Sequence, residues 1–202
     1  MAEPTTSVAA SILAGDDTTL KGPLRYDGFA ITLHWLTAIL VVTLFSLAHI
    51  WGYFPHDGPV QITMQTLHVT LGVMLAAVLV VRLAWRTAFG RRLPHAGKGL
   101  VEYAARGMHY VLYALLIAMV IAGFGKRWSR GHGLEFFVWH IPAPLPINPA
   151  WRPVFNAVHH WGAWAIITLA GLHAAAALYH HFILHDNVLK RMWPGKRRVA
   201  AH

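Results

Sequence analysis

The sequence contains no cysteine. That excludes disulfides, cysteine-ligated iron–sulfur clusters and thioether-attached cofactors. Charge is scarce as well. Asp, Glu, Lys and Arg make up 12% of the 202 residues, where a soluble domain carries about a quarter. Acidic groups are the scarcer kind, eight against seventeen Lys and Arg. The resulting formal charge of +9 does not indicate a nucleic-acid partner, because the basic residues flank long apolar runs and form no patch on a polar domain. No repeat and no low-complexity tract is present. What is abundant is apolar: 56% of the chain is hydrophobic, and nine tryptophans suit the aromatic belts of a membrane protein.

Four runs, near 29–52, 64–86, 104–125 and 158–180, are long enough to cross a bilayer, which takes about 20 residues. None has Asp or Glu at its centre. The first two connections are short. The expected fold is an all-α membrane protein, a four-transmembrane-helix bundle running up and down. Residues 1–24 read as a flexible cytoplasmic tail. The apolar stretch 8–14 is too short and lacks the basic flank of a signal peptide. Residues 25–194 read as the membrane domain and 195–202 as a basic cytoplasmic tail. The third connection, about 126–157, holds Pro142, Pro144, Pro146 and Pro149 among aromatics. It is expected to lie over the bundle as an interfacial lid, with a short helix around 134–139.

Thirteen of the seventeen Lys and Arg fall on the side that holds both termini, and four (Lys126, Arg127, Arg130 and Arg152) fall on the other. The first loop has none. The positive-inside rule places both termini in the cytoplasm. The four residues on the far side sit in the third connection, where Glu135 is the one acidic residue. They suit either the steering of a small anion or the anchoring of the lid to lipid phosphates.

Fifteen histidines are the chemical anomaly. A histidine inside a membrane helix is costly without a partner and marks a candidate functional site. His34 lies near the cytoplasmic start of the first run, and His68 near the periplasmic start of the second. His159 and His173 share the fourth run, 14 residues apart. That spacing returns to within about 40° of the same helix face, about 21 Å along the axis. One face thus presents two imidazoles at two depths, His159 level with His68 and His173 level with His34. Two such pairs are what two haems stacked across a membrane require, since neutral imidazoles are good axial ligands.

Other histidines compete. His160 lies about 140° from His173 and should face elsewhere. His180 is seven residues from His173 and shares its face, so depth alone leaves either as the partner of His34. His181 and His185 fall at the cytoplasmic boundary. His49, His56, His132 and His140 read as structural. His109, opening the third run, suits an interfacial position, a haem propionate or a quinone. Arg82 and Arg86 lie at the same end, suited to propionates or to snorkelling toward lipid phosphates. Metal transport would call for acidic partners in the helices or histidine clusters in the loops, and the sequence has neither.

At these residues the chain resembles the prokaryotic dihaem cytochrome b561 family. The matching stretches are His34-Trp35, Leu67-His68-Val69-Thr70-Leu71-Gly72, and Gly171-Leu172-His173 running through Ala174, Ala175, Ala176, Ala177, Leu178 and Tyr179 to His180-His181. Asp186-Asn187 and Arg191-Met192 before Pro194 extend the match. The resemblance covers about 25–194. It implies four ligands for the iron of two non-covalent, bis-histidine haems b, mapping to His34, His68, His159 and His173. It therefore favours His173 over His180. One departure is the pair His159-His160, where the family has a single histidine after an aromatic residue; helical phase selects His159. The resemblance also implies a multi-pass protein of the bacterial inner membrane that exchanges electrons between the periplasmic face and the quinone pool.

Some members are similar to superoxide oxidases. The resulting expectation is a superoxide:ubiquinone oxidoreductase. Superoxide would be oxidised at the His68–His159 haem and ubiquinone reduced beyond the His34–His173 haem, with His180 as the quinone candidate. The alternative is a non-catalytic cytochrome b subunit relaying electrons between a partner dehydrogenase or other periplasmic donor and the quinones. The expected partners are lipid, ubiquinone and the donor, with no nucleic acid.

Overall fold

A computed structural model describes residues 25–90, 93, 99–137, 139–144 and 147–194, with Glu135 described for its backbone only. The two expected tails, 1–24 and 195–202, lie outside the described residues, as do Arg91, Arg92, Lys98 and Pro146. Four long helices dominate: α1 (Gly28–Ile50), α2 (Pro59–Ala88), α3 (Leu100–Trp128) and α4 (Arg152–Phe182). Each belongs to a segment long and apolar enough to span a bilayer. Only 28% of the α1 window and 6% of the α4 window is buried within the protein. So much apolar surface left outward requires lipid as its solvent. The protein is a multi-pass membrane protein.

The helix ends follow from local chemistry. Asp27 caps α1, its side chain accepting from the Ala30 amide at 2.8 Å, which satisfies one of the first free N–H groups. Pro59 opens α2, where its missing N–H costs nothing. Gly90 ends that helix: its amide and that of Phe89 both donate to the Trp85 carbonyl. A Cβ at Gly90 would lie 2.9 Å from the Arg86 backbone, so this tight stop needs glycine. At 29–31 residues, α2 to α4 exceed the roughly 20 that a bilayer requires. These three extend beyond the expected runs because polar turns at their ends carry on past the apolar core, whereas α1 ends at Ile50, inside its expected run, and passes into a 3-10 turn over Trp51–Tyr53.

The third connection departs from expectation. Instead of a short helix, residues Leu134–Phe136 (β1) and Trp139–Ile141 (β2) form an antiparallel hairpin with Glu135 opposite His140. The segment is rich in aromatic and β-branched residues, which favour strands. Phe137 at its tip has φ 53°, the left-handed conformation that a tight turn uses. β1 packs on α2. Arg127 Nε donates to the Gly133 carbonyl at 3.1 Å, and Arg152 Nε to the Ser129 carbonyl at 3.0 Å. These two arginines hold the lid to the ends of α3 and α4.

The helices pair as two hairpins, α1 with α2 and α3 with α4, and α1 touches α4 at few places. The core is a layer of Leu40, Leu44, Leu75, Leu79, Leu116 and Ile166. Ile166 lies seven residues from both His159 and His173, or about 10 Å along the helix. This apolar layer therefore sits between the two histidine levels. At the opposite end from the lid, the chain after α4 folds back on the start of α1. The Tyr26 amide donates to the Arg191 carbonyl, and Trp35 Nε1 to the Met192 carbonyl at 2.8 Å.

Candidate functional site

The structure brings the four expected histidines together in two pairs, both across the seam between α4 and the α1–α2 hairpin. At the lid end, the rings of His68 on α2 and His159 on α4 lie 6.1 Å apart, with planes at 73°. At the terminal end, His34 on α1 and His173 on α4 lie 6.4 Å apart, with planes at 74°. A metal held about 2 Å from one nitrogen of each of two imidazoles places the ring centres about 6 Å apart. Both gaps have the size of an imidazole–metal–imidazole unit.

The surroundings of the two pairs differ. His68 Nδ1 donates to the Leu44 carbonyl at 3.1 Å. That hydrogen bond fixes the proton on Nδ1 and leaves the Nε2 lone pair for a metal. Trp51 meets the same ring edge-on at 5.2 Å. His159 fits against Gly123 of α3, where an added Cβ would stand 3.2 Å from its Cε1. Its Nδ1 is buried without a well-formed hydrogen bond, although the Met119 backbone is within electrostatic reach.

At the terminal end, Arg82 of α2 donates to His34 Nδ1 at 2.8 Å. The guanidinium groups of Arg82 and Arg86 lie over the Tyr113 ring, at 5.2 and 5.6 Å. Arg82 thus points into the bundle and does not snorkel outward. His109 of α3 is not at the boundary either. Its ring meets that of His173 at 5.1 Å, and its Nδ1 donates to the Ala105 carbonyl at 2.6 Å.

His180 lies two turns beyond His173, and its Nδ1 is 2.5 Å from Asp186 Oδ2. Asp186 Oδ1 accepts from the Val188 amide at 2.9 Å. Burial works against the ionised carboxyl, but the hydrogen bonds from His180 and Val188 and the charges of His180 and Arg191 hold it below the usual carboxylate range. Among the remaining histidines, His160, His56, His132, His140 and His185 are exposed. His49 donates to the Phe45 carbonyl at 2.9 Å and packs on Trp164. His140 closes against Gly133 in the hairpin. His181 Nδ1 is buried without a partner.

Residues 25–195 match the family model described as prokaryotic cytochrome b561. The chain belongs to the prokaryotic cytochrome b561 family. It is 34% identical over 180 residues to cytochrome b561 homolog 2 of Escherichia coli K12, a match covering 84% of this chain and 92% of that protein. It is 30% identical over 175 residues to a Yersinia pestis protein described as a probable superoxide oxidase, CybB, covering 86% and 98%. A Cereibacter sphaeroides cytochrome b562 is 28% identical over 180 residues, covering 83% and 94%. Membership implies haem b and membrane electron transfer, and the histidine pairs are of a kind and spacing that fit haem iron.

The sequence reading placed Arg82 and His109 at the right end and missed what they touch. The signal was available. Arg82 follows His68 by 14 residues and Gly123 follows His109 by 14, the same spacing that joins His159 to His173. On α2, α3 and α4 alike, one face therefore carries one residue to each level. Asp186 as the partner of His180 had no such signal, because the turn after Phe182 brings it back.

Proposed function

We propose that this cytochrome is a superoxide:ubiquinone oxidoreductase of the bacterial inner membrane. In this reading His68 with His159 and His34 with His173 are the axial ligands of two haems b. The observation that carries the reading is the pair of histidine gaps, each sized for a ligated iron, set at opposite ends of the bundle with a leucine layer between them. Residues 25–194 form the membrane domain, with both termini cytoplasmic, as the Lys and Arg bias requires. The lid then faces the periplasm.

The overall reaction takes one electron from each of two superoxide anions, giving two molecules of dioxygen. Ubiquinone accepts the two electrons with two protons to give ubiquinol. Haem iron, when bound, supplies the one-electron ferric–ferrous chemistry that lets single electrons cross the membrane.

The protein's own residues hold, orient and exclude. The Leu44 carbonyl keeps the proton of His68 on Nδ1. Gly123 gives His159 room to face His68. A neutral imidazole that ligates through Nε2 carries its proton on Nδ1, so His34 would hold iron only with its Nδ1 free of the Arg82 contact. Arg82 would then be an interior cation suited to a haem propionate. The core leucines keep water out between the two levels. At the terminal end Asp186 orients His180 through Nδ1, leaving Nε2 to hydrogen-bond a quinone carbonyl and deliver a proton to it.

The second reading is a relay subunit for a periplasmic donor protein. The exposed Phe137, Trp139 and Trp151 around the lid give such a partner an aromatic docking surface. Stopped-flow mixing of the purified, oxidised protein with superoxide separates the two readings. Rapid haem reduction followed by ubiquinone-dependent reoxidation is expected of the oxidoreductase. A protein inert toward superoxide that co-purifies with a dehydrogenase would be the relay subunit.

A further inference from the structure

Lys126 stands apart from the other basic residues at the lid end. It lies in the last turn of α3, three residues beyond Gly123, and so one turn closer to the lid on nearly the same face. Gly123 is the residue against which His159 packs. Lys126 is half-buried, whereas Arg130, four residues on, is exposed. Arg127 and Arg152 are committed to backbone carbonyls of the lid, but no carboxylate pairs with Lys126 among the described residues. A cation near the end of a helix is favoured by the helix dipole wherever it points. The dipole does not explain why this one is half-buried, one turn from the glycine that packs on His159, where burial with no counter-ion among the described residues is costly.

We infer that Lys126 binds a propionate carboxylate of the haem held between His68 and His159, at the edge turned toward the lid. The inference rests on the reading that this pair holds a haem. A haem b carries two propionates, and those of a haem near one face of the membrane find water and counter-ions on that face. Lys126 stands one helical turn outward from Gly123, the glycine that packs on His159, on the side where a propionate turned toward the lid would leave the macrocycle. The ammonium then has its counter-ion and the propionate its donor, and the lid-end haem is anchored at its edge as well as through its iron.

Redox titration of the holoprotein tests this, using wild type, Lys126→Gln and Lys126→Arg, each with native haem and each reconstituted with haem dimethyl ester. With native haem, Lys126→Gln is expected to keep two haems and bis-histidine spectra. Loss of the positive charge favours the ferric state, so the ferric-to-ferrous ratio of the lid-end haem at a fixed ambient potential should rise several-fold. The other haem should stay unchanged, and Lys126→Arg should stay close to wild type. With the ester, which leaves the ammonium no carboxylate to hold it at the macrocycle, Lys126→Gln should raise the ratio much less than with native haem. Loss of the lid-end haem from Lys126→Gln but not from Lys126→Arg would support the anchor equally. Its loss from both variants, an unchanged ratio, or the same rise with the ester would overturn the inference. Those outcomes leave the haem reading intact so long as wild type holds two haems and His68→Ala removes one of them. If wild type fails that check, the reading itself fails.

Discussion

At the lid end, His68 and His159 are backed by a backbone carbonyl and a glycine. At the terminal end, His34 and His173 are backed by a guanidinium and a third imidazole. The ring separations and angles of the two pairs are nearly the same, so the ligand geometry cannot make the two ends behave differently. The neighbours can. In the proposed reading, a carbonyl on Nδ1 makes His68 the more electron-rich ligand and favours the ferric state. Arg82 and Arg86 set two guanidinium cations at the level of the terminal pair, which favours the reduced state. With two guanidinium groups at the terminal pair against the half-buried ammonium of Lys126 at the lid end, the proposed reading makes the terminal end the better electron sink; it is also the end where His180 and Asp186 meet. In that reading an electron entering at the lid runs downhill toward His180.

The sharpest way to break this comparison is to remove one ligand from each end. His68→Ala and His34→Ala should each leave one of the two haems, and the surviving haems should differ in potential, with the one left in His68→Ala the higher. His160→Ala should leave both, since that side chain is exposed. Haem content and redox titration of the three variants check this. Equal potentials for the two survivors would remove the asymmetry.

Gly123 offers a finer cut at the lid end alone. A Cβ there already stands 3.2 Å from His159, so Gly123→Val should displace the ring and empty or loosen the lid-end haem. Overpacking of this kind costs about 1–3 kcal/mol. Its positional counterpart at the other end, His109, is not a ligand in this account. His109→Ala should keep both haems. Visible spectra at full reduction distinguish these outcomes, and loss of the terminal-end haem from His109→Ala would reassign the ligand.

The next effect is kinetic. Asp186→Asn and His180→Ala should retain both haems and slow reoxidation by ubiquinone about tenfold or more, within the range of general acid catalysis. Because the Asp186 carboxyl sits below the usual carboxylate range, its ionised contact with His180 persists as pH falls past about 4, where an ordinary carboxyl would protonate. The contribution is present above that value and is lost only as pH drops through the lowered one. Quinone reoxidation in wild type should therefore not fall off through protonation of Asp186 between pH 7 and 5. Asp186→Asn should be slow across that whole range. A variant as fast as wild type would leave His180 with no part in the reaction.

The smallest expected effect concerns the donor. Of the four basic residues of the third connection, Arg127 and Arg152 are engaged with the lid backbone and Lys126 is half-buried, which leaves exposed Arg130 to attract an anion from solution. Arg130→Gln should lower the rate of haem reduction by superoxide about two- to threefold at low salt. It should make no difference once the Debye length is near 8 Å, at physiological ionic strength. A rate indifferent to both salt and Arg130 would leave the lid charges as structural anchors.

Much of this arrangement could be read from spacing. The four apolar runs gave the four spans, because a span needs only length and apolar content. The 14-residue interval between His159 and His173 gave the two levels, because a regular helix carries its phase across four turns. The ends of α2 to α4 were placed short, since polar end turns carry no apolar signal. The lid was misread because four prolines and a cluster of aromatics suit a hairpin as well as a loop with a helical turn, and the choice was made by packing on α2. The pairing of Asp186 with His180 depended on a turn, and the inward course of Arg82 on which partner was nearer. Both are set by tertiary contact, which periodicity does not encode.

The central claim is that each histidine pair holds one haem. The pyridine haemochrome assay on the purified, full-length wild-type protein, set against a quantitative amino-acid analysis, tests it most directly. Two haems b per chain are the expected result. One haem per chain, or none, would contradict the account.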